Sequence, residues 1–189
     1  MAFSFSNGAP YHDCNEEGND RQPTEFAGRL RFRLEKTMPD HPITIIVRHP
    51  RENPKKCSVL PLQGRADLLF LAYPTPHPPS FAGYIRLAAD GPELSAADRD
   101  HGILLLDGSW RWAARMIASF QDVPPRSLSG WKTAYPRVAK SGTDPDNGLA
   151  SIEALYIAYH LLGRPTDGLL DHYHWVKEFL ELNGFPLPV

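Results

Sequence analysis

Four short runs stand out when apolar and polar positions are marked along the chain: ITIIVRH (43–49), DLLFLAYP (67–74), GYIRLA (83–88) and GILLLD (102–107). Each is rich in aliphatic or β-branched residues and is bounded by turn-forming or Pro- and Gly-containing segments. Continuous apolar runs of this length suit strands buried on both faces. Elsewhere the spacing is helical. SWRWAARMIASF (109–120) opens at Ser109, an acceptable N-cap. LASIEALYIAYHLLG (149–163) puts Leu149, Ile152, Leu155, Tyr156, Tyr159 and Leu162 on one stripe and stops at Gly163, ahead of Pro165. DGLLDHYHWVKEFLELNG (167–184) does the same with Leu169, Tyr173, Val176 and Leu180, and ends at Asn183-Gly184. FAGRLRFRLEKTM (26–38) suits either a short amphipathic helix or a strand. Strands interleaved with helices predict an α/β domain with a mostly parallel sheet flanked by helices. Residues 1–24 mix Gly, Asn, Asp, Glu and Pro without a period, which predicts a flexible arm ahead of a single domain over 25–189.

Composition narrows the class. The 189 residues fit one domain with a real core, and 42% hydrophobic with 22% charged residues is ordinary for a globular protein. No apolar run is long enough for a bilayer, and MAFSFSNGAP lacks a basic region and an apolar signal core. Two cysteines, Cys14 and Cys57, cannot build a disulfide framework, so a reducing cytoplasm is the expected setting. The net charge of −2 hides a segregation. From Arg29 to Arg65 nine basic residues face three acidic ones, and from Arg126 to Lys140 four basic residues face none. Such clustering either makes a basic face on a mildly acidic protein or is only two solvated surfaces.

Two segments sit where loops should leave the C-terminal ends of strands, the usual place for ligands in an open α/β sheet. One is RHPRENPKKCS (48–58), the other DGSW (107–110). In DGSW, Asp107 can face a cleft and Gly108 permits close backbone approach. Ser109 starts a helix whose free N–H groups favour anions, and Trp110 offers a flat face. Equally, Asp107 can cap the helix while Trp110 and Trp112 serve the core. Cys57 has no assignable histidine partner and reads as a small buried residue; Ser58 suits a cap or a ligand carboxylate. In HYHWVKEF, His172 and His174 lie two apart and point to different faces of a helix, so no metal is expected. GxxxxGK, GxGxxG and GxSxG are all absent, which disfavours nucleotide hydrolysis, Rossmann hydride transfer and elbow-serine hydrolysis.

Read together, the segments resemble one superfamily. IIVRHPRENPKKCS is similar to the segment that carries an HPRE or DPKKCS-type motif in DTW-domain proteins and in the small-subunit ribosomal RNA aminocarboxypropyltransferases. LLLDGSW resembles the Asp-x-Thr/Ser-Trp signature of the DTW domain, with Ser109 for Thr. NGLASIEAL (147–155) is similar to a Leu-Ser-Thr-x-Glu-Ala segment, with Ala150 and Ser151 where Ser and Thr are usual, and HWVKEFLELN (174–183) resembles the ending of the ribosomal RNA branch. The likeness runs from about Ile43 to Asn183, with four weak motifs in the correct order.

The resemblance implies a SPOUT-like domain with a C-terminal trefoil knot and S-adenosylmethionine as cofactor. It implies transfer of the 3-amino-3-carboxypropyl group to a uridine-type base in RNA, releasing methylthioadenosine. Small-subunit ribosomal RNA is the favoured substrate and transfer RNA the second. The alternatives are a SPOUT-type RNA methyltransferase and a non-catalytic RNA-binding or ribosome-assembly module. Carried onto this chain, Asp107 is the candidate general base or cofactor-orienting group, and Trp110 the wall of the cofactor or the stacking partner of the base. Ser58 should hold the methionine carboxylate. The backbone of Leu106 and the Trp131 region should frame the nucleoside, and Asn147, Leu149 and Ser151 should close the pocket from the knotted loop. Glu153 is compatible with a purely structural role. Arg48, Arg51, Lys55, Lys56, Lys132, Arg137 and Lys140 are the expected contacts to the RNA backbone.

Overall fold

The computed structural model describes residues 40–136 and 148–187. Five strands form one sheet: β1 (Thr44–Arg48), β2 (Leu68–Ala72), β3 (Tyr84–Glu93), β4 (Gly102–Asp107) and β5 (Pro125–Ser127). Their order is β2-β1-β4-β3-β5 and every pairing is parallel. Among the described residues three α-helices accompany them: α1 (Trp110–Ile117), α2 (Ser151–Leu161) and α3 (Val176–Leu182).

Strand alternation sorts the side chains into two layers. Ile45, Val47, Leu104 and Leu106 point to one face and pack with Met116 of α1, Phe120 and Val123. Ile46, Ile85, Leu87, Ile103 and Leu105 point to the other and pack with Ile152, Leu155 and Tyr159 of α2 and Phe179 of α3. With both faces covered, the central strands need no polar side, which is why GILLLD is buried at all six positions. The predicted mostly parallel α/β architecture is therefore the one observed.

The differences from the sequence reading have local causes. DLLFLAYP is an edge strand, and Leu69 is 41% exposed. β3 runs on through AADGPE, where its residues are half-buried or exposed and carry no apolar signal, and a bulge lets Ala88 and Glu93 both meet Ser127. β5 is three residues long and begins with proline, so no periodicity announced it. Helix 109–120 splits into α1 and a 3-10 turn at Ala118–Phe120. Helix 149–163 is realised as α2, and Gly163, at φ +68, ends it. The long helix expected over 167–184 shrinks to α3. Residues 167–175 instead form turns, closed by Leu169 N–H to Thr166 C=O and Tyr173 N–H to Leu170 C=O, with Gly168 at φ +72. Successive three-residue turns return side chains to one side much as a helix does, so Leu169, Leu170 and Tyr173 are buried although not helical. The N-terminal arm, the 26–38 segment and the loop implied to carry a trefoil knot, up to Asn147, lie wholly or partly outside the described residues.

The order β2-β1-β4-β3-β5 creates a switch point. The chain leaves β1 towards β2 and leaves β4 towards the opposite edge of the sheet. The C-terminal ends of β1 and β4 are adjacent, with Arg48 paired in register to Asp107. Open α/β sheets bind ligands at such a divergence.

Candidate functional site

At the switch point the loops after β1 and β4 are tied together. His49 N–H donates to the Asp107 carbonyl at 3.0 Å. Ser109 N–H donates to Glu52 Oε2 at 2.8 Å. Arg48 Nε lies 3.4 Å from Asp107 Oδ2 and 3.3 Å from Cys57 Sγ, and its Nη2 donates to the Glu52 carbonyl at 3.1 Å. The Cys57 thiol in turn donates to Asp107 Oδ2 at 3.1 Å. Strand alternation explains this grouping: Arg48 and Asp107 end their strands on the α2 face, where Cys57 is buried. Asp107 is only 3% exposed, so its carboxylate serves Arg48 and Cys57 rather than solvent. Burial first, and then the Asp107 charge, push the Cys57 thiol up to about 11. It is a protonated hydrogen-bond donor at neutral pH, not a nucleophile.

One residue beyond Cys57, the Ser58 hydroxyl accepts the Ile152 N–H at 3.2 Å. Residues 94 positions apart thus meet at the N-terminus of α2. Ser151, expected to share a pocket with Ser58, is the first residue of that helix, and Leu149 packs half-buried against the same core. Ala150, at the N-cap, has no side-chain oxygen. Glu153 supplies the capping in its place, taking the Ala150 N–H on Oε2 at 2.7 Å. The same fully buried carboxylate accepts Thr133 Oγ1–H at 2.7 Å, Ala134 N–H at 2.8 Å and the Tyr173 hydroxyl at 2.7 Å. Burial and this carboxylate hold the Tyr173 hydroxyl protonated far above the usual range. Glu153 therefore joins the 133–134 loop, α2 and the turn before α3.

That loop carries Trp131, stacked on Phe185 at 5.3 Å with planes 2° apart. Lys132 is exposed, and its backbone is clamped by Asn183, whose Oδ1 accepts the Lys132 N–H and whose Nδ2 donates to the Lys132 carbonyl, both at 2.9 Å. Ser129, Trp131, Lys132, Leu182 and Asn183 line a cavity of about 400 Å³.

On the opposite face of the sheet edge a second group assembles. His49, next to Arg48 and so pointing the other way, stacks on Trp112 of α1 at 4.3 Å and 11° and on Tyr73 at 5.8 Å and 26°. Arg51, Arg111 and Arg115 place their guanidinium carbons 5.4, 4.6 and 4.7 Å from the Trp112 ring centroid. Burial, followed by Arg51 and Arg115, lowers the His49 pKa against the opposing pull of Glu52. Gly108, where close approach to a ligand was expected, is closed in by protein: a Cβ there would stand 3.3 Å from Trp112 Cβ and 3.4 Å from His49 Cβ.

The expected site residues thus divide. Ser58, Leu149 and Ser151 gather around the start of α2, with Asp107 joined to their neighbour Cys57. Leu106 points to the α1 face, where only its backbone lies at the strand edge. Trp110 is the half-buried first residue of α1. Arg51, Lys55 and Lys56 are exposed, whereas the Arg48 guanidinium is turned inward. Asn147, Arg137 and Lys140 lie outside the described residues. Sequence reasoning passed over Glu153 as an organiser and the His49–Trp112 stack. Strand alternation after Arg48 was the available signal for the second. Among the described residues no group of three His, Cys, Asp or Glu is placed to hold a metal, and no helix is long and apolar enough to cross a membrane.

Neither a protein-family model nor a curated protein matches the chain. Among solved structures it is similar to Tsr3 from Vulcanisaeta distributa, described as an SAM-dependent rRNA:acp-transferase. The likeness has a TM-score of 0.58 at 21% identity and covers 76% of this chain and 79% of that one. The five-stranded parallel α/β architecture is the fold of that protein. A DTW domain finds no matching family model.

Proposed function

We propose that this chain transfers the 3-amino-3-carboxypropyl group of S-adenosylmethionine to a uridine-type base in RNA, with small-subunit ribosomal RNA as the substrate. The observation that carries the reading is the meeting of Ser58 with the N-terminus of α2 beside the Arg48–Asp107–Cys57 group, at the switch point of a fold shared with an SAM-dependent rRNA transferase. The donor set suits the amino-acid end of such a cofactor. Ser58 Oγ accepts from Ile152 N–H, and its own O–H donates to no described residue, so it can reach a carboxylate that the helix terminus also favours.

When bound, S-adenosylmethionine supplies a sulfonium whose aminocarboxypropyl carbon is one of three electrophilic positions. Choosing among them is a matter of orientation, an effect worth up to roughly 7–11 kcal/mol. Ser58, Leu149 and Ser151 hold the cofactor's amino-acid end in this reading. The Leu106 backbone, Trp110 and Trp131 bound the nucleoside, and Glu153 holds the Trp131 loop in register. Asp107, committed to Arg48 and Cys57, is assigned as a positioning residue that fixes the loops after β1 and β4, and the proton that the base nitrogen loses on forming its bond to the aminocarboxypropyl carbon passes to solvent water. Arg51, Lys55, Lys56 and Lys132 contact the RNA backbone, and Arg48 leaves that set because its guanidinium is used internally.

Chromatography of the small-molecule product after incubation with S-adenosylmethionine and small-subunit RNA tests the reading. Methylthioadenosine is expected. S-adenosylhomocysteine would replace this reading by methyl transfer.

A further inference from the structure

The cluster around Trp112 has no role in the cofactor site. It lies on the α1 face, while Ser58 and the start of α2 lie on the other. Three guanidinium groups converge within 5.4 Å of one indole, yet none of them forms an ion pair among the described residues. Glu52 acts on His49 against Arg51 and Arg115, and its carboxylate accepts Ser109 N–H. Cation–π attraction offsets part of the mutual repulsion, and the remaining positive potential favours an anion. Beside the arginines lies a cavity of about 370 Å³, walled by His49, Tyr73, Trp112 and two prolines, Pro50 and Pro74. Flat rings next to guanidiniums that have no ion pair among the described residues match a nucleotide, with base and phosphate recognised side by side.

We propose that the His49–Tyr73–Trp112 wall together with Arg51, Arg111 and Arg115 docks an unpaired nucleotide of the RNA substrate, its base in the cavity that the rings wall and its phosphate on the arginines. The assignment rests on the RNA-modifying reading above and extends it. This nucleotide is a neighbour of the reacting one, since the wall is on the far side of the sheet edge from Ser58. Its neck to the active site is short in sequence: His49 adjoins Arg48, and Trp112 follows DGSW by two residues. The site thereby sets which stretch of single strand is presented at the switch point.

The test uses the full chain and a fluorescein-labelled single-stranded oligouridylate of about ten nucleotides, with anisotropy read across a range of KCl concentrations. Arg111→Ala/Arg115→Ala should weaken binding at least tenfold and reduce the slope of log affinity against log salt by about 1, because one or two phosphate contacts are lost. Trp112→Leu, which keeps apolar bulk but removes the ring that backs His49 and gathers the arginines, should weaken binding about fivefold or more. Lys177→Ala, on α3, should bind as the parent does. An arginine pair variant with unchanged affinity and slope would overturn the proposal. So would uridine monophosphate binding as tightly as the oligonucleotide, since the ligand would then be a free nucleotide. S-adenosylmethionine binding, measured separately by calorimetry, keeps the two readings apart. Cofactor binding with oligonucleotide binding indifferent to these variants removes this site alone. Variant-sensitive oligonucleotide binding without cofactor binding removes the transferase reading and leaves this site standing.

Discussion

Glu153→Gln removes one oxygen from a carboxylate that is fully buried and accepts four hydrogen bonds. Each oxygen takes one hydroxyl and one backbone N–H: Oε1 takes Tyr173 and Ala134, Oε2 takes Thr133 and Ala150. The hydroxyls can rotate and accept from the new amide. The backbone N–H groups cannot. Whichever oxygen becomes NH₂, one N–H is left facing a donor in a buried site. An unsatisfied buried donor costs about 1–3 kcal/mol, and the other bonds lose the strength that the charged acceptor gave them. The expected loss is about 2–4 kcal/mol, larger than for most single substitutions. Urea unfolding at 25 °C should show a midpoint lower by roughly 1–2 M at unchanged slope. A Glu153→Gln midpoint within about 0.3 M of the parent would refute the reasoning, because four bonds of this geometry cannot then be carrying the loop.

Asp107→Asn should cost about 2 kcal/mol, less than the roughly 3–5 typical of a fully buried pair because Arg48 keeps some solvent contact. Thermal unfolding reads this directly. Ser58→Ala should weaken S-adenosylmethionine binding about tenfold by calorimetry while leaving oligonucleotide binding intact, since about 1.5 kcal/mol accompanies one hydrogen bond to a charged carboxylate. Stability should fall as pH rises above 9: the unfolded Cys57 thiol ionises from there, while the folded one stays protonated up to about 11, so the unfolded state binds fewer protons across that window. Thermal scans at pH 8, 9 and 10 should show a smaller decline in Cys57→Ala than in the parent.

What could be read from the sequence follows from how each element is stabilised. β4 is buried at every position because both its faces are covered, and the apolar run that leads into Asp107 says so directly. α2 carries its stripe and its glycine stop within fifteen residues of sequence. The turns over 167–175 defeated the same logic, because buried residues at three-residue spacing look helical whether or not the backbone is. β5 owes its place to pairing with β3 and has no pattern of its own. In the site, Asp107 was visible at a strand end and Ser58 in the loop that leaves one, but the inward turn of Arg48 was not. Its charge suggested phosphate, and its use depends on Asp107, 59 positions away in the sequence. Glu153 looked structural and is the residue on which three segments converge.

The central claim is the group transferred. The most direct measurement incubates the purified chain with S-adenosylmethionine labelled in the carboxyl carbon or, separately, in the methyl, together with small-subunit ribosomal RNA from a strain lacking the gene. Carboxyl label recovered in that RNA, with the methyl label remaining in the small-molecule fraction, is the expected result. Methyl label in the RNA without carboxyl label would contradict it.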